Sequence, residues 1–162
     1  MEFKELFETG MSYGTFLSIA SESELAKIRE ITKNLVLKNE NIEKLKNIDK
    51  KVCLLLSAES WCPYVRATVP VLNRIAQINE NIKLGIITEG RGFMFLREKL
   101  GIEEDDYVIP TLAILDEEYN LINKYIGKPE KYKEIGFRNV STDFFAGKCA
   151  DDIVEELLKK IG

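Results

Sequence analysis

The residues best suited to chemistry lie in the stretch 57–65, which surrounds Cys62. An apolar run at 52–56 precedes this stretch and a helical pattern follows it, so Cys62 is predicted to lie where a strand gives way to a helix. Unpaired backbone N–H groups and the positive end of the helix dipole favour a thiolate at that position. The expected chemistry is therefore nucleophilic attack by the Cys62 sulfur.

The absence of histidine narrows the possible mechanisms. None of the 162 residues is histidine, which excludes Ser-His-Asp and Cys-His nucleophiles and any histidine-ligated metal site. A cysteine needs no separate base when its surroundings stabilise the thiolate. We therefore expect a cysteine-based site with no metal and no cofactor.

Size and charge exclude several classes of protein. A chain of 162 residues fits one domain, and a net charge of −4 argues against a nucleic-acid partner. No apolar run is long enough to span a membrane, and the N-terminus carries no secretory signal pattern. Three cysteines do not form a disulfide framework. These features predict a cytoplasmic protein with no membrane or nucleic-acid partner.

Helix and strand patterns surround this stretch. Residues 1–50 are predicted to be helical, with a capping box at Ser21 and Glu24. The predicted strands are 52–56, 82–88, 111–115 and 121–126, with the last two antiparallel; the predicted helices after residue 50 are 63–79, kinked at Pro70, 93–100 and 151–161. Residues 128–148 carry only weak signals. We expect an α/β domain over 1–162, comprising a helical extension at 1–50 and a core at 51–162 with an insertion near 128–148.

Several short motifs occur in a fixed order along this framework. They are Trp61-Cys62, Pro70 eight residues after the cysteine, Leu-Asn-Arg-Ile-Ala at 72–76, Leu-Gly-Ile at 100–102, Ile-Pro-Thr-Leu at 109–112, and Gly127. Together they resemble the thioredoxin superfamily over residues 50–127 and the final helix. The N-terminal fifty residues and 128–148 lie outside the resemblance.

The resemblance implies a thioredoxin-like fold, with a central mixed sheet of about four or five strands flanked by helices. It also implies that Cys62 is the exposed catalytic nucleophile and that a cis Ile109–Pro110 bond lies against it. The substrate groove would be formed by Trp61, Pro63, Ile109, Pro110 and Thr111.

The chain departs from the family at the second cysteine, because Val65 occupies that position. The buried acid that assists the second cysteine in the family is also missing from 53–56. The loop 62–65 additionally resembles that of glutaredoxins with its last cysteine absent. Cys149, just before the final helix, is a candidate resolving thiol with possible thiolate character, although a capping or packing role is an alternative. Cys53, within an apolar strand, is expected to be a core residue.

Two functions follow from this pattern. The first is a single-cysteine thiol–disulfide oxidoreductase serving cell redox homeostasis, in which Cys62 attacks protein or small-molecule disulfides and an external thiol resolves the product. The alternative is a redox-inert module that binds a peptide or partner protein in the cis-proline groove. A third hypothesis, a thiol peroxidase or arsenate-type reductase, requires Arg66 or Arg91 to steer an anion, and both residues are equally explained as surface charges. The sequence does not determine the oligomeric state.

Overall fold

A four-stranded mixed sheet forms the centre of the molecule. The computed structural model describes residues 1–162. The sheet order is β2-β1-β3-β4, and β1 runs parallel to β2 and antiparallel to β3, which pairs antiparallel with β4. The strands are β1 (Val52–Ser57), β2 (Ile82–Ile87), β3 (Thr111–Asp116) and β4 (Leu121–Ile126). The predicted mixed sheet is confirmed, and an isolated bridge between Met11 and Ile86 adds a short antiparallel contact beside β2.

Nine α-helices surround this sheet, and the predicted helical N-terminal region is confirmed. They are α1 (Phe3–Glu8), α2 (Tyr13–Ser18), α3 (Glu22–Asn34), α4 (Asn39–Lys46), α5 (Pro63–Ile78), α6 (Glu89–Arg91), α7 (Tyr132–Ile135), α8 (Ser141–Phe145) and α9 (Ala150–Ile161). The capping box predicted at Ser21 and Glu24 begins α3, with both reciprocal hydrogen bonds present.

The strand residues divide between two cores, one on each face of the sheet. Leu54 and Leu56 of β1 belong to a cluster of 28 buried residues, into which α5 and α9 also pack. Cys53 and Leu55 point to the other face and join a cluster of nine, which includes Leu6 of α1. Because side chains alternate along a strand, burial on both faces produces the continuous apolar run seen in the sequence.

The segment after β2 differs in detail from the predicted loop and helix. Of the residues predicted as a loop at 89–92, the first three form α6, whose N-cap Thr88 accepts a hydrogen bond from Arg91 N–H. The predicted helix at 93–100 is a π-helical turn over Gly92–Leu96 followed by a 3₁₀ turn over Glu98–Leu100. Gly101, with φ of 68°, closes it as expected of a helix-ending glycine.

Candidate functional site

Cys62 lies at the start of α5, where the sequence predicted it. It is the N-cap residue of this 16-residue helix, Pro63 occupies the first turn, and the Cys62 carbonyl accepts a hydrogen bond from Arg66 N–H at 3.0 Å. Proline fits there because the first helical residues have no intrahelical acceptor for an N–H. No side chain caps the helix, so its first-turn amides are not occupied by a capping side chain.

The Cys62 sulfur faces the segment that precedes β3. Its thiol donates to the Ile109 carbonyl, with a sulfur–oxygen distance of 3.7 Å. The Ile109–Pro110 peptide bond is cis. Sheet pairing explains this proximity. Because β1 and β3 are antiparallel, β1 ends where β3 begins, with Ser57 opposite Thr111. Residues 47 positions apart are therefore brought into contact.

Hydrogen bonds to neighbouring backbone fix the Ile109–Thr111 segment. The Thr111 hydroxyl donates to the Val108 carbonyl at 2.6 Å, and Gly127 N–H donates to the Pro110 carbonyl at 2.8 Å. Ile109, Pro110 and Thr111 are all buried. These three residues therefore form the floor of the predicted groove rather than its accessible walls.

The expectation of an exposed nucleophile is wrong, because Cys62 is only 6% exposed. The N-cap position fixes the backbone, but the Cys62 side chain turns inward and joins the larger core. Its neighbours remain accessible, since Trp61 is 54% exposed and Pro63 is also exposed. The accessible walls of the site are therefore formed by Trp61, Pro63 and the half-exposed Val108.

No acidic residue lies on β1 beneath the site, and the family's second-cysteine position is occupied by a core residue, Val65. Val65 is fully buried. The buried polar group at the end of β1 is instead Ser57, whose hydroxyl donates to the Thr88 carbonyl at 3.2 Å and makes a short hydrogen bond with the Tyr107 hydroxyl. This pairing was not predicted, and a polar residue ending an apolar strand is the one sequence signal for it.

Burial raises the pKa of Tyr107 to about 12. The hydrogen bond with Ser57 opposes this rise, while the negative charges of Glu89 and Glu59 add to it. The Tyr107 hydroxyl is therefore a stable neutral hydrogen-bonding group at physiological pH. Ser57 is the last residue of β1, and Tyr107 lies two residues before Ile109. Their hydrogen bond therefore joins the two segments that form the site.

The loop between β1 and α5 is held by hydrogen bonds to two other elements, α3 and α6. The Ser60 hydroxyl donates to Glu24 at the start of α3 (2.8 Å), and Glu89 N–H donates to the Glu59 carboxylate (2.8 Å). Hydrogen bonds from the Ser21 backbone and the Ser60 hydroxyl lower the pKa of Glu24. The N-terminal helices therefore help to fix the loop that carries Cys62.

The arginines considered for anion steering serve mainly as structural donors. Arg66 donates to the Trp61 carbonyl at 2.7 Å and to the Ser60 carbonyl at 3.3 Å. Arg91 donates to the Thr9 hydroxyl at 2.8 Å. Neither guanidinium is directed at the Cys62 sulfur by these contacts, so the peroxidase or reductase hypothesis gains no support from them.

Residues 128–148, which carried weak sequence signals, pack against the helix that begins at Cys62. The Tyr64 ring lies 5.1 Å from Phe145 and 5.7 Å from Phe137, measured between ring centroids. The Lys128 ammonium lies 5.5 Å from the Tyr64 ring and 4.9 Å from the Phe137 ring, within cation–π range. Tyr64 therefore packs within an aromatic cluster, whereas its neighbour Trp61 faces outward.

The other two cysteines are buried or partly buried thiols. Cys149 is the N-cap of α9, but burial raises its pKa, so the expectation of thiolate character there is wrong. A hydrogen bond with the Tyr132 hydroxyl opposes that rise without cancelling it. Burial likewise raises the pKa of Cys53, which lies in the smaller core as predicted. All three cysteines are free thiols.

No three acidic or cysteine side chains come together in an arrangement that would hold a metal ion. No helix combines the length and apolar character needed to cross a membrane.

A small cavity of about 200 Å³ lies between α3, α5 and α8, with Pro63 and Arg66 in its wall.

Comparison with known proteins extends the similarity beyond the motifs. The sequence profile of the family described as Thioredoxin matches residues 10–143. A crystal structure of a protein of unknown function from Pseudomonas aeruginosa superposes with a TM-score of 0.93 at 26% identity, covering 99% of this chain and 97% of that one. An HIV epitope scaffold superposes with a TM-score of 0.92 at 26% identity, covering 99% of this chain and 98% of the scaffold. No curated protein sequence matches significantly.

These matches correct the expected extent of the resemblance. The sequence motifs placed residues 1–50 and 128–148 outside it, yet the family profile begins at residue 10 and the structural matches cover nearly the whole chain. The backbone of the N-terminal helices and of residues 128–148 therefore has counterparts in these solved structures.

Proposed function

The chain belongs to the thioredoxin family, and from that premise we propose that it is a single-cysteine thiol–disulfide oxidoreductase. Cys62 is the nucleophile. Val65 leaves the loop without a second thiol, so the reaction needs an external one. The observation that carries the proposal is the contact between the Cys62 thiol, at the N-cap of α5, and the Ile109 carbonyl beside the cis peptide bond.

The proposed reaction is a pair of exchange steps. The Cys62 thiolate attacks one sulfur of a disulfide, forms a mixed disulfide with that half, and displaces the other half as a thiolate that takes a proton from water. An external thiolate then attacks the mixed disulfide, restores the Cys62 thiolate and leaves with the bound half as a new disulfide. Bonds and electrons balance over the two steps, so no separate oxidant or reductant is consumed.

The burial of Cys62 sets a requirement on the first step. A disulfide must approach the sulfur along the line of the bond being broken, and at 6% exposure the sulfur needs its side chain to turn outward. The polar contact that holds the thiol inward is a 3.7 Å sulfur–oxygen interaction, which is weaker than an ordinary hydrogen bond. Once turned toward solvent, the sulfur stays next to the first-turn amides of α5, which stabilise a negative charge.

The test is reaction of the folded protein with a low-molecular-weight aromatic disulfide. We expect one adduct per chain at Cys62, found by intact mass and peptide mapping, and its release by an added thiol. Cys62→Ser should abolish the adduct, whereas the matched variants Cys53→Ser and Cys149→Ser should retain it. Adducts on Cys53 or Cys149 with none on Cys62 would overturn the proposed nucleophile.

The burial of Cys62 and Val65 favours a second candidate, a redox-inert module that binds a peptide in the cis-proline groove. Trp61 is the single tryptophan of the chain and lies beside Cys62, so its fluorescence reports binding there. If Cys62→Ser binds a partner peptide with unchanged affinity and the wild type forms no mixed disulfide, binding without chemistry is the function.

A further inference from the structure

An apolar patch borders the site on one side. Nine large hydrophobic side chains are exposed on the whole molecule. Four of them lie on the segments that follow β1 and β2 or precede β3, at the same end of the sheet as Cys62. The exposed fractions of this patch are Trp61 54%, Phe93 38%, Met94 67% and Val108 46%. Exposed apolar groups concentrated beside a site mark a surface that contacts another molecule.

Contacts make this patch continuous with the thiol. The Phe93 ring packs edge-on against Tyr107 at a centroid distance of 5.7 Å. Tyr107 leads directly into Val108 and Ile109, and the Ile109 carbonyl accepts the Cys62 thiol. A molecule covering the patch would therefore lie beside the position that the Cys62 sulfur reaches when its side chain turns outward.

Acidic side chains lie close to Tyr107, which contacts this patch: the negative charges of Glu59 and Glu89 act on its hydroxyl, and three further acids precede it by one to four residues. This acidic rim consists of Glu59, Glu89, Glu103, Asp105 and Asp106. None of the five carboxylates has a basic ion-pair partner within 4 Å, whereas the neighbouring Glu104 pairs with the buried Arg97. The nearby cations are Arg66 and Arg91, which hydrogen-bond to uncharged groups, and Lys128, whose ammonium lies over the Tyr64 ring. The five acids outnumber these three cations, so the local charge is negative.

We propose that the apolar patch and the acidic rim select, as substrate of Cys62, an extended polypeptide segment whose cysteine is flanked by apolar residues and by lysine or arginine. This inference rests on the proposed exchange reaction and specifies its substrate class. The apolar patch contacts the residues next to the substrate cysteine, and the rim attracts the flanking cations. Anionic small thiols and acidic polypeptides are disfavoured because like charges slow their approach.

The experiment compares two synthetic peptides that differ only in charge. Each carries one cysteine activated as an aromatic mixed disulfide and flanked by leucine, with either lysines or glutamates outside the leucines. We expect Cys62 to react with the lysine peptide about tenfold faster at low salt. The two rates should converge at about 0.5 M salt, where charges are screened within a few Å.

Charge-reversal variants separate the rim from the net charge. Asp105→Lys with Asp106→Lys changes two exposed rim positions. Glu117→Lys with Glu118→Lys makes an equal change at the β3–β4 turn, which lies at the other end of the strands because β3 begins beside the site and ends at this turn. The rim variant should lose most of the preference for the lysine peptide, and the control should keep it. Equal losses in both variants, or no preference in the wild type, would overturn the inference.

A second pair of variants tests the apolar patch. Met94→Ser should lower the rate at which Cys62 reacts with the lysine peptide at least about threefold. Leu121→Ser, at the start of β4 and the other end of the strands, should leave that rate unchanged. Unchanged rates in both variants would remove the patch from the inference. The results distinguish the exchange function from the substrate class. If Cys62 reacts with no disulfide at all, the proposed exchange function is wrong. If Cys62 reacts with the small aromatic disulfide but shows no charge preference between the peptides, only the proposed substrate class is wrong.

Discussion

Replacing Gly92 with alanine would place a methyl group inside the hydrogen-bonded pair that joins the two segments of the site. The added Cβ would overlap the Ser57 hydroxyl oxygen and the Tyr107 hydroxyl, and would lie 2.6 Å from Ser57 Cβ. Gly92 has a φ of −63°, which any residue adopts, so the alanine backbone carries no strain of its own. Ser57 cannot withdraw because it ends the central strand β1, with zero exposure.

The magnitude follows from three opposing effects. Overpacking a buried position costs about 1–3 kcal/mol. Displacing the Ser57–Tyr107 hydrogen bond costs about 0.5–1.5 kcal/mol more. Exchanging glycine for alanine within a helical turn returns about 0.5–1 kcal/mol. The expected net loss of unfolding free energy is about 2 kcal/mol, equivalent to a fall in Tm of about 4–8 °C for a chain of this size.

The assay is urea unfolding followed by the fluorescence of Trp61, the single tryptophan. Gly90→Ala is the matched control, because Gly90 lies two residues away and its added Cβ would meet nothing within 4 Å. That control should be neutral or stabilising by up to about 1 kcal/mol. Adding Tyr107→Phe to Gly92→Ala should recover part of the loss, because it removes one of the overlapping groups. Equal stabilities for Gly92→Ala and Gly90→Ala would refute the role assigned to this packing.

Three further predictions concern ionisation and packing. The Tyr107 pKa of about 12 lies above its ordinary value of 10.0, so its contribution to stability is complete below about pH 10 and is lost as the pH rises toward 12; Tyr107→Phe should flatten the pH dependence of urea stability in that window, and an unchanged slope would contradict the shift. Because burial raises the pKa values of Cys53 and Cys149, mass-resolved iodoacetamide labelling near neutral pH should modify both much more slowly in the folded than in the urea-unfolded chain, and equal rates would argue against burial as the cause. Lys128→Met should reduce the unfolding free energy by about 1 kcal/mol through loss of the cation–π contacts with two rings, whereas the exposed Lys133→Met should have no effect; equal effects in urea unfolding would exclude a specific contact.

Local patterns were sufficient to predict the positions of the strands and of Cys62. The apolar run at 52–56, the helical pattern after it and a proline following Cys62 are all local signals, and they predicted β1, α5 and the N-cap correctly. The exposure of the Cys62 sulfur was not predictable in this way. The direction of a side chain at an N-cap depends on the surrounding core, and here that core includes Ile109, 47 residues further along.

The contacts that fix the site were harder to predict because they join distant positions. Ser57 and Tyr107 are 50 residues apart, and nothing in either local sequence indicates the other. The aromatic cluster around Tyr64 comes from short helices at 132–135 and 141–145, too short to show a helical period. Such segments become recognisable only when the partner surface that they cover is known.

Val65 determines how a mixed disulfide at Cys62 would be released. Because Val65 is fully buried and no acid lies beneath it on β1, this position contributes packing and no proton transfer. A mixed disulfide at Cys62 would therefore have no second thiol in its own loop to release it, and its lifetime would depend on how easily another thiol reaches the sulfur. The low exposure of Cys62 makes that access restrictive. A long-lived mixed disulfide would act as a covalent complex, so the rate of its release by added thiol determines whether Cys62 turns over or captures its partner, whereas the redox-inert module would form no mixed disulfide.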